Sequence, residues 1–410
     1  MMLRMKINIF LLLVLSAIVV KAQTNTFKFK RNLTGITAKW HSLKLPDQLY
    51  KNANSGFDDL RIFGISGKDT VEVPYLLKQR ADKVISKEVD FRPVNESANA
   101  DGYYFTFELN DLSIINQINL SFKETNFDWK VSLEGSNANT EWFTILKDYR
   151  ILSIKNSNTD YQFTTLSFPD SKYKYYRLMV KSSIKPGLLE ALINKTDTIK
   201  GTYQNVKYKS LSLKSSVANK ETVVVLGLEN PLPVSYLKLN AQSDFDFYRP
   251  IKIEYATDSF KTDKGTQYNY ADLFEGTISS LQKSEYNFAN TITSQIKITI
   301  QNNDNKPLRI NNIELKGNIF ELVGRFDDPK LNYALYYGND QVNAPSYEID
   351  KFENKIPTNL TALTIGKEEN NPAYAIVTEK PLFENKAWLW VLMAVIIALL
   401  GWFSFKMLRN

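Results

Sequence analysis

Hydrophobic and polar residues alternate with a period of two along much of the chain. In residues 103–109, every second residue is aromatic or aliphatic. The same alternation recurs at 118–122, 129–134, 251–255 and 296–301. Successive side chains of a strand point to opposite faces, so each segment is expected to be a strand with one buried and one solvated face. Asn, Asp, Gly and Ser cluster between these segments and predict turns. The pattern therefore predicts a mainly β protein built from antiparallel β-sandwiches.

Two stretches of the chain share this alternation at a nearly constant spacing. Residues 103–109 match residues 222–228, 119 positions further on. Other matches, at spacings of 118 to 120 positions, join 118–120 with 237–239, 127–129 with 245–247, 131–133 with 251–253, and 177–178 with 297–298. A constant spacing predicts two copies of one sandwich, at 91–183 and 215–318.

Three further regions lie before, between and after these two repeats. We expect an N-terminal β region at 23–90, a linker at 184–214 and a small C-terminal β region at 319–383. Few segments show helical periodicity, and residues 186–194 in the linker are the best candidate for a short helix.

Both ends of the chain carry apolar segments. Residues 1–22 combine a basic start, an apolar run and a final alanine, which predicts a signal peptide cleaved before Gln23. Residues 387–405 contain no charge, and nineteen residues at about 1.5 Å each give roughly 28 Å, close to the thickness of a bilayer core. We therefore expect a transmembrane helix at 384–406 and a cytoplasmic tail at 407–410.

Aromatic and basic residues flank this apolar segment. The expected membrane-interface anchors are Trp388, Trp390, Trp402, Lys406 and Arg409. Basic residues after the segment favour a cytoplasmic C terminus, so the N-terminal bulk is expected to be periplasmic. Because outer-membrane proteins cross with strands, a helical span indicates the cytoplasmic (inner) membrane and a single-pass topology.

The net charge of +7 comes mainly from the two ends. Without their five basic residues, 46 basic and 44 acidic residues remain, so no nucleic-acid partner is expected. The chain has no cysteine, which excludes disulfides, thiolate catalysis and cysteine-bound metals. The chain has a single histidine, His41, and no G-x-S-x-G motif that would supply a serine nucleophile beside it. His41 is therefore expected to be an ordinary strand histidine without a catalytic role.

Two Tyr-Arg pairs are the candidate ligand-binding residues, Tyr149 with Arg150 and Tyr248 with Arg249. An aromatic ring beside a guanidinium near a strand end suits polar ligands such as sugars. The alternative is that both pairs serve ordinary strand packing.

Asp58 and Asp59 are weak candidates for a metal site, and the alternative is that they close the turn before the strand at 60–65. No cofactor is expected. Structural calcium held by loop carbonyls stays open, because it would leave no motif in the sequence.

The first repeat resembles the discoidin-type, galactose-binding-like jelly rolls. The resemblance lies in WKVSLEGSNANTEWFTI at residues 129–145 and YYRLMV at residues 175–180. It covers about a quarter of the chain and implies a jelly-roll fold without naming a ligand. The disulfide of many discoidin domains cannot be carried over, because the chain has no cysteine.

The whole chain also resembles a bacterial family of unknown function that consists of exported, β-rich proteins with one C-terminal span. The matching segments are 58–62 with 73–75, 232–240 with 247–250, 331–339 with 345–347, and the Trp-rich C-terminal segment. The resemblance implies a cell-envelope protein and, as a partner, a polytopic membrane protein.

Three functional hypotheses follow. The first is a non-enzymatic, membrane-anchored envelope protein whose sandwiches bind a glycan or a protein. The second is an accessory subunit whose terminal helix packs against a polytopic membrane protein, with Ala394, Ala398 and Gly401 allowing close approach. The third is a carbohydrate-active enzyme that uses paired carboxylates, because acidic residues are plentiful in the chain.

Overall fold

The structure, a computed structural model, describes residues 24–375, except 68, 158 and 264, together with residues 386–408. The predicted signal peptide at 1–22 lies outside these residues. Strands dominate the described part, which confirms the mainly β prediction. They assemble into a first sandwich, a second sandwich and a sandwich built from both ends of the chain, which we call the terminal sandwich.

The N-terminal segment has 3₁₀ helices at Thr24–Thr26 and Asp47–Lys51. Its strands are β1 (Phe29–Thr34), β2 (Trp40–Lys44), β3 (Arg61–Ser66), β4 (Asp69–Val73) and β5 (Tyr75–Gln79).

The first sandwich follows directly. Its strands are β6 (Lys83–Glu88), β7 (Phe91–Asn99), β8 (Gly102–Leu109), β9 (Ile115–Phe122), β10 (Phe127–Ser136), β11 (Phe143–Lys155), β12 (Asp160–Phe163), β13 (Thr165–Ser171), β14 (Tyr175–Lys181) and β15 (Leu188–Ile199). They form a six-stranded sheet of order β12-β11-β10-β14-β8-β7 and a four-stranded sheet of order β13-β9-β15-β6. The apolar faces of both sheets enclose one core, to which Phe105, Ile118 and Leu178 belong.

The second sandwich contains the strands β16 (Tyr203–Val206), β17 (Tyr208–Ser216), β18 (Glu221–Gln242), β19 (Tyr248–Thr262), β20 (Gly265–Ser279), β21 (Glu285–Gln301) and β22 (Arg309–Asn318). β18 and β21 are long and contribute to both layers, so the seven strands form one continuous sheet around a core. The pairing of β18 with β21 shifts register between Gly227 and Leu232, and this shift divides each long strand into two halves.

The second sandwich repeats the strand order of the first. The sheet order β7-β8-β14-β10 corresponds to β17, the first half of β18, the second half of β21, and β19. Phe105 lies opposite Leu178 in the first sandwich. Val224 lies opposite Ile298 in the second, 119 and 120 positions further on. The spacing of 118 to 120 residues seen in the sequence thus separates residues that occupy equivalent paired positions in the two sandwiches.

β15 occupies the segment for which a short helix is the best sequence candidate, and that helix prediction is wrong. The strand pairs with β9 on one side and β6 on the other. Ala191 and Ile193 are buried in the core while Leu189 and Glu190 are exposed. Leu, Glu and Ala favour helices in isolation, but pairing between two strands overrides that weak preference.

The C-terminal segment contains β23 (Phe320–Arg325), β24 (Asn332–Tyr337), β25 (Thr361–Ala362), β26 (Thr364–Ile365), β27 (Glu369–Asn370) and a 3₁₀ helix at Glu348–Lys355. β24 lies between β1 and β3, and β23 lies between β2 and β5. The N-terminal and C-terminal β regions, which sequence patterns give as separate units, therefore share two sheets and one core, the terminal sandwich.

An α-helix, α1 (Lys386–Leu408), follows at the position of the predicted span. Within the described residues, no helical stretch combines the length and the apolar character that crossing a membrane requires. Trp390 and Trp402, two of the predicted membrane-interface anchors, are exposed. The side chains of Trp388 and Lys406, and the whole of Arg409, lie outside the described part of the chain.

Candidate functional site

Tyr149 lies in β11 and packs into the first sandwich. Its ring stacks on Phe163 with 5.8 Å between ring centroids, and its hydroxyl donates to the carbonyl of Thr165 at 3.3 Å. Burial raises the pKa of Tyr149 above its ordinary value. The structure thus places this candidate in ordinary strand packing.

Arg150 links the first and second sandwiches. Its Nε and Nη2 donate to the carboxylate of Asp128 at 2.8 and 2.6 Å, and its Nη1 donates to Oδ2 of Asp246 at 2.6 Å. These hydrogen bonds raise the pKa of Arg150, and the bond from Arg150 is the largest cause that lowers the pKa of Asp246. Because Asp246 lies between β18 and β19, Arg150 holds that loop against the first sandwich.

The loop at 243–247 and the loop at 302–308 border a cleft of about 770 Å³ at one end of the second sandwich. Tyr248 and Arg249, the second candidate pair, both line it. The other lining residues are Gln242, Ser243, Asp244, Phe245, Asp246, Phe247, Asn303, Asp304, Asn305, Lys306, Pro307 and Arg309. A volume of this size is typical of sites for small ligands.

Two aromatic side chains of the cleft reach solvent. Phe245 is 83% exposed and Tyr248 is 38% exposed. Phe247, between them, is buried in the core of the second sandwich, and Ser280 bonds its backbone through both N–H and C=O. The loop is therefore held in place while the ring of Phe245 stays free on its surface.

Arg249 forms the buried part of the cleft wall. Its side chain is 7% exposed, and its Nη1 donates to Oδ1 of Asn302 at 2.6 Å. Asn302 is fixed in turn, because its Nδ2 donates to Oγ1 of Thr222 at 2.8 Å. Burial lowers the pKa of Arg249.

Asp59 has a structural role in the terminal sandwich. Its side chain is fully buried, and its carboxylate accepts hydrogen bonds from the backbone N–H groups of Gly338 at 2.6 Å, Asn54 at 3.0 Å and Asn339 at 3.3 Å. Burial raises the pKa of Asp59, while these bonds oppose the rise. The carboxylate thus ties the N-terminal segment to the end of β24.

Asp58, the other weak metal candidate, is exposed. Among the described residues, no three His, Cys, Asp or Glu side chains lie together as metal ligands would. Asp58 and Asp59 are therefore not part of such a cluster. The Asp59 oxygens, which a cation would need, are occupied by backbone N–H groups.

His41 lies in β2 and is fully buried. Its Nε2 accepts hydrogen bonds from the backbone N–H groups of Thr37 and Ala38, at 3.1 and 3.0 Å, and its Nδ1 lies 3.0 Å from the carbonyl of Thr361. This arrangement assigns the proton to Nδ1. His41 thus links the N-terminal segment to Thr361 in the C-terminal segment.

Sequence reasoning missed Phe245 and the loop at 302–308 as parts of a site. In the sequence, residues 245–247 match the internal repeat and residue 247 begins a segment of the family resemblance, and neither feature indicates a binding site. The available signal was the Asp-Phe-Asp-Phe sequence at 244–247 between two strands, because phenylalanine is not among the residues that dominate turns.

No protein-family model matches the chain. No curated protein matches it either. The resemblance to an exported family of unknown function therefore stays a prediction.

Among solved structures, the chain is similar to the CBM32-1 and CBM32-2 domains of ZmpB from Clostridium perfringens, with 9% identity over 68% of this chain and 100% of that chain and a TM-score of 0.22. It is also similar to a fucolectin from striped bass (Morone saxatilis) serum, with 11% identity over 68% of this chain and 96% of that chain and a TM-score of 0.21. TM-scores this low establish neither a shared fold nor a shared ligand.

Proposed function

We propose that this chain is a non-enzymatic cell-envelope protein that binds a glycan in the cleft of the second sandwich. The exposed ring of Phe245 at the edge of a concave, polar cleft carries the proposal. A sugar ring presents an apolar face of C–H groups, which suits stacking on an aromatic ring, and a rim of hydroxyls, which suits polar side chains. Phe245 and Tyr248 supply the first kind of contact, and the loop at 302–308 supplies the second.

The cleft walls support a binding role because they are fixed before a ligand arrives. Arg150 and Ser280 both bond the carboxylate of Asp246 in one loop, at 2.6 and 2.9 Å. Asn302, at the start of the other loop, is bonded to Arg249 and Thr222. A pre-organised site loses little conformational entropy when it binds.

The state of Asp246 argues against its acting as a proton donor. A general acid needs a carboxyl group whose pKa is raised, so that it carries a proton near neutral pH. The pKa of Asp246 is lowered, first by the hydrogen bond from Arg150. The carboxylate-based enzyme hypothesis requires the opposite shift for its proton donor.

A jelly-roll fold of the galactose-binding-like type is part of the proposal for both sandwiches. The discoidin-like segments at 129–145 and 175–180 support it for the first sandwich. The equal strand order and equal ladder spacing extend it to the second.

Anchoring in the cytoplasmic membrane, with the sandwiches in the periplasm, completes the proposal. The nineteen uncharged residues at 387–405 support it. So do the exposed apolar side chains of α1: Leu392, Met393, Val395, Ile396, Ile397, Leu399, Leu400, Phe403 and Phe405. An apolar surface on every side of a helix is unfavourable in water and favourable in lipid.

A glycan array probed with the full-length protein in mild detergent tests the binding role. We expect the protein to bind a subset of glycans. Phe245→Ala should weaken binding about tenfold, since a stacked aromatic ring contributes roughly 1.5 kcal/mol. Phe260→Ala is the matched control, because Phe260 is a half-exposed aromatic in β19 that does not line the cleft. Binding of no glycan, or equal loss in both variants, would contradict the proposal.

A second candidate function is that of an accessory subunit whose helix packs against a polytopic membrane protein. The observation that favours it is the open surface at Gly401, where a Cβ would meet no atom within 4 Å. Small residues allow the close helix approach that packing within lipid requires. Purification from membranes in mild detergent should then recover a stoichiometric membrane partner, and Gly401→Leu should release it.

A further inference from the structure

The acidic side chains of the cleft are all neutralised by basic partners. Each lining carboxylate forms a short ion pair: Asp244 with Arg309 at 2.6 Å, Asp246 with Arg150 at 2.6 Å, and Asp304 with Lys220 at 2.7 Å. Two cationic lining residues remain, Arg249 and Lys306. Within the described part of the chain, neither has an acidic partner within 4.0 Å. The lining itself has three acidic and three basic residues, but Arg150 and Lys220 pair with two of its carboxylates from outside the lining, so five cations face three carboxylates and the site has a net positive charge.

Arg249 is the more unusual of these two cations. A guanidinium carries five N–H donors, and the side-chain hydrogen bond to Asn302 uses one. Asn302 is a neutral acceptor, so the charge itself has no counter-charge beside it. A buried charge without a partner is costly to the fold, and a group of this kind that lines a cleft is a candidate for ligand binding.

We infer that the cleft recognises an anionic glycan and that Arg249 binds the acidic group of the sugar, a carboxylate or a sulfate ester. This inference rests on the proposed glycan-binding role and narrows its ligand class. Lys306, exposed on the loop at 302–308, adds a second positive charge, and Phe245 covers the sugar ring.

The chemistry of an arginine suits an anion better than a neutral hydroxyl. The planar fork of an arginine matches the paired oxygens of a carboxylate or a sulfate, and charge-assisted hydrogen bonds are about twice as strong as neutral ones. Asn302, which is itself bonded to Thr222, already holds Arg249 in place, so the guanidinium loses little freedom on binding. The three carboxylates nearby repel an anion weakly, because each is paired.

The first test changes the ligand and leaves the protein unaltered. Isothermal titration calorimetry with the full-length protein in mild detergent compares tetragalacturonate with its methyl ester, which keeps the rings and removes the charge. A second comparison uses a sulfated disaccharide and its desulfated form. We expect the charged member of one pair to bind at least tenfold more tightly, as a charged hydrogen bond of about 1.5 kcal/mol or more implies. Which pair responds tells carboxylate from sulfate.

The second test changes the protein. Arg249→Gln should abolish the preference for the charged ligand, while Lys306→Gln, an exposed substitution that the fold tolerates, should reduce it about two- to fivefold at low salt. Lys261→Gln, an exposed lysine outside the cleft, should change nothing.

If the charged and uncharged ligands of both pairs bind equally, or if only neutral glycans bind on the array, the inference of an acidic ligand is wrong and the glycan-binding role still stands. Binding of no glycan at all would overturn both.

Discussion

Replacing Asp59 by alanine tests whether that carboxylate holds the two ends of the chain together. The substitution removes the acceptor for the backbone N–H groups of Gly338 and Asn54, which lie 2.6 and 3.0 Å away. Asp58→Ala is the matched control, because Asp58 is the adjacent acid and is exposed. If Asp59 has this structural role, Asp59→Ala strongly destabilises the terminal sandwich and Asp58→Ala hardly changes its stability.

The magnitude follows from the hydrogen bonds that are lost. An unsatisfied buried donor costs roughly 1–3 kcal/mol, so two such donors cost roughly 2–6 kcal/mol. Part of this cost is recovered, since burial of the carboxylate is itself unfavourable, as the raised pKa of Asp59 indicates. We expect Asp59→Ala to lower the free energy of opening the terminal sandwich by roughly 2–4 kcal/mol and Asp58→Ala by less than about 0.5 kcal/mol.

Hydrogen exchange measured by mass spectrometry on the full-length protein reads this opening locally. Because each 1.4 kcal/mol changes the equilibrium constant for opening about tenfold, exchange in β24 should become roughly 30- to 700-fold faster in Asp59→Ala. Exchange in β19, in the second sandwich, should stay unchanged and serves as the internal reference. Unchanged exchange in β24 would refute the structural role. If added Ca²⁺ slowed exchange in the wild type and not in the variant, Asp59 would be a metal ligand instead.

Three further predictions concern the second sandwich. Arg150→Ala should lower its stability by less than about 1 kcal/mol because the ion pair with Asp246 is exposed. Since the pKa of Asp246 is lowered in the fold, the stabilisation by this ion pair should be complete at neutral pH and should disappear as the pH falls below about 4. Thermal melts of the wild type and of Arg150→Ala at a series of pH values measure this change. Gly317→Ala should destabilise the second sandwich by about 3 kcal/mol, since its Cβ would overlap the carbonyl oxygen of Pro233; an unchanged urea midpoint would contradict this. Phe245→Ala should leave the melting temperature unchanged while weakening glycan binding, because the ring packs on nothing in the core.

Alternation predicted strands of two central sandwiches, because it records directly which face of a strand is buried. The predicted bounds were too narrow: β6 lies in the predicted N-terminal region and β15 and β16 in the predicted linker, yet all three pair within the sandwiches. The repeat spacing was also readable from alternation, as buried positions such as Phe105 and Val224 occupy equivalent ladder sites. The terminal sandwich was not predictable in this way. β1 pairs with β24 across some 300 residues, and periodicity within a strand carries no information about its partner.

The candidate site was predicted in part, because strand register decides where a side chain goes. Tyr248 and Arg249 do line the cleft, whereas Tyr149 packs on its neighbours and Arg150 bridges two sandwiches. Phe245 was missed as a site residue because a loop has no periodicity from which exposure can be read. Its solvent-exposed position depends on the bonds that Asp246 and Phe247 make with distant residues, and only the folded chain shows them.

Hydroxyl-radical footprinting with a bound glycan tests the cleft most directly, because it measures the solvent exposure of individual aromatic rings. The full-length protein would be saturated with the glycan that binds best on the array, and oxidation of each aromatic residue compared with and without it. We predict that oxidation of Phe245 and Tyr248 falls severalfold on binding, while that of Phe260 does not change. Equal oxidation of Phe245 in the free and the saturated protein would contradict glycan binding at this cleft.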